Sequence, residues 1–152
     1  MKPVAPQNRP SIRVLIIEDD EDDQELFTIQ LRKTRFLDHV LFVNDGQRAL
    51  DLMTRPNTEI NPSDILTVFL DLSLPGMGGL EFLRKIRATR KWATLPVVVM
   101  SGSTNPKDAE ACRELNVLSF VSKPVPIQTF SMLVANVFEP VKPKDVVIDR
   151  HY

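Results

Sequence analysis

Apolar positions along this chain come in short continuous runs, and each run is followed by a stretch with helical spacing. Ile12 to Ile17 is apolar and β-branched apart from Arg13. Val40 to Val43, Ile65 to Leu70 (broken only by Thr67), Val97 to Met100 and Leu118 to Val121 are runs of the same kind. Runs this short, bounded by turn residues, predict strands buried on both faces, as in a parallel sheet. Between them the period changes. Leu26, Ile29, Gln30 and Lys33 repeat at helical spacing, with Phe27 and Leu31 widening the apolar face. Ala49, Leu50 and Met53 face inward from a second helix that stops before Pro56. Leu80, Leu83 and Ile86 mark a third. Asn105 followed by Pro106 caps a fourth, with proline at the first helical position, running to about Leu115. Ile127, Phe130, Leu133, Val134 and Val137 make the stripe of a fifth. Asn44-Asp45-Gly46 reads as a turn and cap, and Asn57 to Ser63 as a loop.

Five repeats of strand then helix predict an α/β domain with a parallel sheet and right-handed crossovers. For five strands the natural arrangement is the flavodoxin-like, doubly wound order 2-1-3-4-5. The domain spans residues 12–138. Residues 1–11, with Pro3, Pro6 and Pro10, are expected to form a flexible arm. Residues 139–152 are a tail, because Pro140 and Pro143 cannot continue the last helix. Within the tail Val146-Val147-Ile148 is apolar, so the segment is expected to pack on its own domain or on a partner.

Composition narrows the class. The chain has 152 residues, 43% hydrophobic and 26% charged, with a net charge of -1. A chain this long buries roughly 70% of its unfolded surface and needs no staples. A single cysteine, Cys112, excludes an internal disulfide framework and fits a reducing compartment. It lies among Ala109, Ala111 and Leu115 and reads as a core thiol. The near-neutral balance carries no nucleic-acid footprint and no basic membrane patch. No signal peptide and no membrane-length apolar run is present. The expectation is a cytoplasmic protein.

Candidate chemistry collects at the strand ends. The first run ends at Glu18-Asp19-Asp20, the third at Asp71, the fourth at Ser101 and the fifth at Lys123. The order 2-1-3-4-5 puts strands 1 and 3 side by side at the switch point, where open α/β sheets bind ligands. Each residue has a plain reading by itself: acids cap helices, serines open turns, lysines are solvated. Four polar endings on one rim are hard to assign to turn chemistry. Two carboxylates about 4 Å apart near a surface repel by about 4 kcal/mol, so one takes a proton or a cation joins them. A hard, oxygen-seeking ion suits the cluster, and His39 and His151 both fall off the rim. Mg²⁺ uses a few carboxylates, water and phosphate oxygens. Together with the Lys123 ammonium and the Ser101 hydroxyl, this describes an aspartyl-phosphate site with a carboxylate nucleophile.

Four motifs carry a family resemblance: Ile16-Ile17-Glu18-Asp19-Asp20, Leu70-Asp71-Leu72-Ser73-Leu74-Pro75-Gly76-Met77, Met100-Ser101-Gly102 and Val121-Ser122-Lys123-Pro124. In this order and spacing the chain resembles the receiver domain of two-component response regulators, and is similar to single-domain chemotaxis regulators, over about Ile12 to Phe138. The resemblance implies that Asp71 accepts a phosphoryl group from a histidine kinase. It implies a Mg²⁺ site at Glu18, Asp19, Asp71 and the Ser73 carbonyl, with Asp19 as direct ligand and Glu18 acting through water. Ser101 and Lys123 would bind the phosphoryl oxygens, and Phe120 falls where the family has its switch aromatic. The Lys123-Pro124 bond falls where the family often has a cis peptide. Asp20 is left to cap the first helix. Such a protein is not an enzyme in the ordinary sense, since it catalyses only its own phosphorylation and dephosphorylation.

Two departures stand out. Gly78 replaces an acid usual in the family, which should affect the helix cap and not the chemistry. Ser101 replaces the commoner Thr and keeps the hydroxyl. Other classes fit less well. A flavodoxin-like electron carrier would want a first loop rich in Ser, Thr and Gly, and this one is acidic. A haloacid-dehalogenase-type phosphatase wants an Asp two residues after the nucleophile, where Ser73 stands. A phosphorylation-independent receiver-like binding module is opposed by Asp71, Asp19, Ser101 and Lys123 all being present. With only the tail after Phe138, output is expected through contact with a target protein, a phosphotransfer protein or a second copy in a homodimer. The acidic start, Pro-rich tail and lack of an output domain resemble regulators paired with phytochrome kinases.

Overall fold

The computed structural model describes residues 11–139; the expected arm and tail, apart from Ser11 and Glu139, lie outside the described residues. Five parallel strands, β1 (Val14–Ile17), β2 (Val40–Val43), β3 (Thr67–Asp71), β4 (Val97–Ser101) and β5 (Ser119–Ser122), lie in the order β2-β1-β3-β4-β5. Five helices alternate with them: α1 (Glu21–Arg32), α2 (Gly46–Thr54), α3 (Gly79–Ala88), α4 (Pro106–Glu114) and α5 (Ile127–Phe138). The fold class and strand order are those expected.

Strand residues alternate between two cores, as the pleat requires. Leu15, Ile17, Val68, Leu70, Val97 and Val99 point to a layer with Ala49, Leu52 and Met53 of α2, Phe82, Leu83 and Ile86 of α3, and Cys112 of α4. The thiol is fully buried, as a core residue should be. Val14, Ile16, Phe69, Val98 and Met100 point the other way, to Phe27 and Leu31 of α1 and Phe130 and Val134 of α5. Phe130 anchors that layer, stacked on Phe27 at 4.4 Å and edge-on to Phe69 at 5.8 Å. Truncating a ring in such a place typically costs about 3–5 kcal/mol.

Details differ from expectation at the margins. The α1 face is Phe27 and Leu31; Leu26 and Ile29 are exposed. The stacking partner on α5 selects which stripe goes inward. In α2, Leu52 is buried and Leu50 only partly so. Ile127 stands exposed at the start of α5, and Leu118 is exposed just before β5. Three short 3₁₀ turns were not foreseen: Leu37–His39, Pro62–Asp64 and Arg90–Trp92. The last buries Trp92, whose indole N–H donates to the Met53 carbonyl at 3.3 Å.

One glycine locks the strand ends to the helices. A Cβ on Gly79 would lie 2.6 Å from the Asp71 carbonyl oxygen and 2.6 Å from the Leu72 Cα. The first residue of α3 therefore touches backbone at the end of β3, and Asp71 is held from behind.

Candidate functional site

The five strands end on one rim, and the rim carries the polar residues. Glu18 follows β1, with its backbone N–H donating to the Val43 carbonyl at 3.0 Å. Asp71 is the last residue of β3, paired with Met100. Ser101 ends β4, and its carbonyl accepts the Lys123 N–H at 2.7 Å. The Lys123-Pro124 bond is cis. Glu18, Asp71 and Ser101 are all buried, among few polar side chains that are, while Asp19 is exposed.

Lys123 joins the rim. Its ammonium donates to Glu18 Oε1 at 2.6 Å, Asp71 Oδ2 at 3.0 Å and Asp23 Oδ2 at 3.1 Å. The other Asp71 oxygen accepts the Ser73 N–H at 2.9 Å. One carboxylate oxygen from each of Glu18, Asp19 and Asp71 falls within 4.8 Å of the others. Around them opens a cleft of about 660 Å³ whose lining includes Asp19, Asp71, Ser73, Gly102 and Lys123.

The electrostatics separate the two buried acids. Burial, and then the neighbouring Asp71 carboxylate, push Glu18 up to about 8, against the pull of Lys123. Burial would also raise Asp71. Hydrogen bonds from Glu18, the Ser73 N–H and Lys123 outweigh it and hold Asp71 below the usual carboxylate range. Burial works to lower Lys123, but its bonds to Glu18, Asp71 and Asp23 hold it above the usual lysine range. The two buried acids are therefore pushed in opposite directions, Glu18 up and Asp71 down. Glu18 Oε1 accepts from Lys123, and its Oε2 is buried without a hydrogen-bond partner. A buried carboxylate oxygen with no donor, beside two more carboxylates, fits a divalent cation bound by oxygen.

The structure thus brings Glu18, Asp19, Asp71, Ser73 and Lys123 together. Ser101 is on the same rim, but its Oγ accepts the Ser103 N–H at 3.0 Å, and no hydrogen bond joins it to Asp71. Phe120 lies mid-strand in β5, beside Val99, and is half-buried against the core. Asp20 caps α1, accepting the Asp23 N–H at 3.0 Å. Gly78 is the N-cap of α3 and, having no side chain, offers it no acceptor. His39 sits off the rim, with Nδ1 2.8 Å from the Ser11 carbonyl oxygen. His151 lies outside the described residues. Asp23 is the residue that sequence reasoning missed. Its signal is its place three residues after the Asp20 cap: a side chain there leans back toward the helix start, and so toward the strand ends.

Comparison with known proteins agrees with this geometry. Residues 14–135 match the family model of the response regulator receiver domain. The two-component response regulator ORR11 of Oryza sativa subsp. indica is 35% identical over 82% of this chain and 79% of its own length. A crystal structure of the phosphorylated cyanobacterial phytochrome response regulator RcpA superposes with a TM-score of 0.75 at 25% identity, over 88% of this chain and 98% of that one. The Mn²⁺-bound form of response regulator Rcp1 superposes at 0.72 with 27% identity, over the same shares of the two chains.

Proposed function

This chain belongs to the response regulator receiver family, and from that premise we propose that it carries its signal as a phosphoryl group on Asp71. The supporting observation is the setting of Asp71: it ends β3 buried, with Oδ2 3.0 Å from the Lys123 ammonium, Oδ1 accepting the Ser73 N–H at 2.9 Å, and the Glu18 and Asp19 carboxylates converging beside it. An ionised carboxylate is the nucleophile that phosphoryl transfer needs.

The donor in this reading is the phosphohistidine of a histidine kinase. An Asp71 carboxylate oxygen attacks phosphorus, the P–N bond breaks, and the imidazole nitrogen leaves with the electron pair and takes a proton from water. Lys123, 3.0 Å from Asp71 Oδ2, is placed to meet the negative oxygens of the incoming group. The Ser73 N–H fixes the rotamer of the carboxylate through Oδ1. The cation in this reading is Mg²⁺, which Asp19, Glu18, Asp71 and the Ser73 carbonyl would hold; when bound, it would offset charge gathering on the phosphoryl oxygens. The same groups serve hydrolysis of the acyl phosphate, so the chain catalyses only its own phosphorylation and dephosphorylation.

Switching starts from Ser101. Its hydroxyl, which accepts the Ser103 N–H, turns to donate to a phosphoryl oxygen, and Phe120 moves into the space beneath α4. This is a local charge event that biases a packed element with two positions. The altered α4 and α5 face then binds a target protein, a phosphotransfer protein or a second copy in a homodimer. The relative RcpA is a phytochrome response regulator, and a phytochrome kinase is the partner we assign here too, in the cytoplasm, where ATP charges such kinases. The test is transfer of label from an autophosphorylated phytochrome kinase to this chain. Failure of every such kinase, with success from another histidine kinase, would remove the phytochrome assignment and keep the phosphoacceptor.

A further inference from the structure

Asp23 touches Lys123 without belonging to the cation cluster. A lysine ammonium has three donors, and here they go to Glu18, Asp71 and Asp23 at 2.6, 3.0 and 3.1 Å. Two of those acids, Glu18 and Asp71, are in the carboxylate group that converges within 4.8 Å, with Asp19 as its third member; Asp23 is not. Asp23 sits in the first turn of α1, its N–H fixed by the Asp20 cap. It also lines the groove between α1 and α5, which is bordered by Leu26, Phe27, Ile127 and Phe130 and reaches Lys123 at its inner end.

Resting on the phosphoacceptor reading above, we propose that Asp23 is a positioning residue that holds the Lys123 ammonium at the α1 wall while the other two acids change partners. When an Asp71 oxygen bonds to phosphorus, that oxygen loses its charge and its hold on Lys123. When Glu18 turns to the cation, its hold weakens as well. Asp23 changes in neither step. It keeps one donor of a long, flexible side chain occupied, so that the other two are already aimed at the phosphoryl site. The Asp23 charge also repels a phosphoryl group, but its side chain is 34% exposed against 4% for Asp71, so solvent screens the repulsion. Ordering of Lys123 is not screened, and it decides the sign.

An acid here also suits the positive end of the helix dipole. Asp22 shares that role, and Lys123 forms none of its ion pairs with Asp22. The pair therefore separates the two explanations. The experiment compares the full chain with Asp23→Ala, Asp23→Glu and Asp22→Ala. Acetyl phosphate with saturating Mg²⁺ supplies the phosphoryl group: the acetyl O–P bond breaks, acetate leaves with the electron pair, and the Asp71 O–P bond forms. Asp23→Ala should react about fivefold more slowly, the range of a partly exposed ion pair. Asp23→Glu and Asp22→Ala should stay near the parent rate, and Mg²⁺ affinity should not change in any variant. In the metal-free chain the ¹⁵N ammonium resonance of Lys123 should be visible, should broaden in Asp23→Ala and should return in Asp23→Glu. An unchanged rate and resonance in Asp23→Ala, an equal loss in Asp22→Ala, or a parallel loss of Mg²⁺ affinity would overturn the proposal. If the parent chain takes no label, the phosphoacceptor reading fails, and the ammonium resonance alone decides whether Asp23 holds Lys123.

Discussion

Lys123 Nζ lies 3.0 Å from Asp71 Oδ2, although the two residues are 52 positions apart and their strands are not neighbours. The strand β4 runs between β3 and β5. The lysine side chain crosses over the end of β4, where Ser101 accepts the Lys123 N–H at its carbonyl. One backbone bond and one ion pair therefore tie three strands into a single site, and changes to any of the three should be felt at Asp71.

The rear support of Asp71 gives the first expectation. Gly79→Ala forces a Cβ to within 2.6 Å of the Asp71 carbonyl oxygen and the Leu72 Cα, both backbone atoms that cannot step aside. Overpacking of this kind costs about 1–3 kcal/mol. Thermal unfolding should show a clear drop in Tm. Phosphorylation by acetyl phosphate should also slow, because β3 and α3 move apart at the nucleophile. An unchanged Tm would mean that the α3 start relaxes freely.

The upward shift of Glu18 gives a pH dependence. Its folded-state value is raised, from 4.5 to about 8, by burial first and by Asp71 second. A raised acid stabilises the fold fully below its unfolded value and loses that contribution as pH rises through the folded value. The metal-free chain should therefore lose stability between about pH 5 and pH 8. Saturating Mg²⁺ should flatten this slope, since the cation takes the place of the proton. Calorimetric titration near pH 6.5 in buffers of different ionisation enthalpy should show about one proton released per cation. Proton-free binding at that pH would contradict the upward shift that burial gives Glu18.

Ser101 should couple phosphorylation to shape. Its Oγ accepts the Ser103 N–H at 3.0 Å, which leaves its own O–H available to donate to a phosphoryl oxygen. Beryllofluoride, which mimics a phosphoryl group on a carboxylate, should shift the amide resonances of Lys107 to Leu115 in the parent chain. In Ser101→Ala the complex should still form, with those shifts largely absent. Equal shifts in both chains would take Ser101 out of the switch.

Exposed apolar side chains mark the dimer expectation. Leu118, Ile127 and Met132 are exposed on or beside β5 and α5. Light scattering in the tens of micromolar should give a dimer for the full chain, reduced by truncation after Glu139. A full-length monomer would refute the dimer, and an unchanged dimer after truncation would refute the part given to the tail.

The inner strands β1, β3 and β4 and their ends were legible because each is buried on both faces, which makes its sequence continuous in apolar residues and its end abrupt. The edge strands β2 and β5 are only partly buried, against expectation, because each has a neighbour on one side only. Asp71 could be found that way, since six apolar or Thr positions, Ile65 to Leu70, stop at one carboxylate. The inward face of α1 was not legible. Leu26, Phe27, Ile29 and Leu31 spread around the helix, and only the ring of Phe130 across the layer picks Phe27 and Leu31. Asp23 was hidden in a run of acids, all suited to a helix start. Only its place three residues after the Asp20 cap separates it from its neighbours, and that cap is itself one acid among several in the run.

Most directly, the account rests on where a phosphoryl group goes. Intact-mass and peptide-mass spectrometry of the chain after acetyl phosphate and Mg²⁺ should show one acid-labile phosphoryl adduct, on the peptide containing Asp71. The adduct should vanish in Asp71→Asn and in the presence of a chelator. An adduct that persists in Asp71→Asn, maps to another residue or ignores the chelator would contradict the central claim.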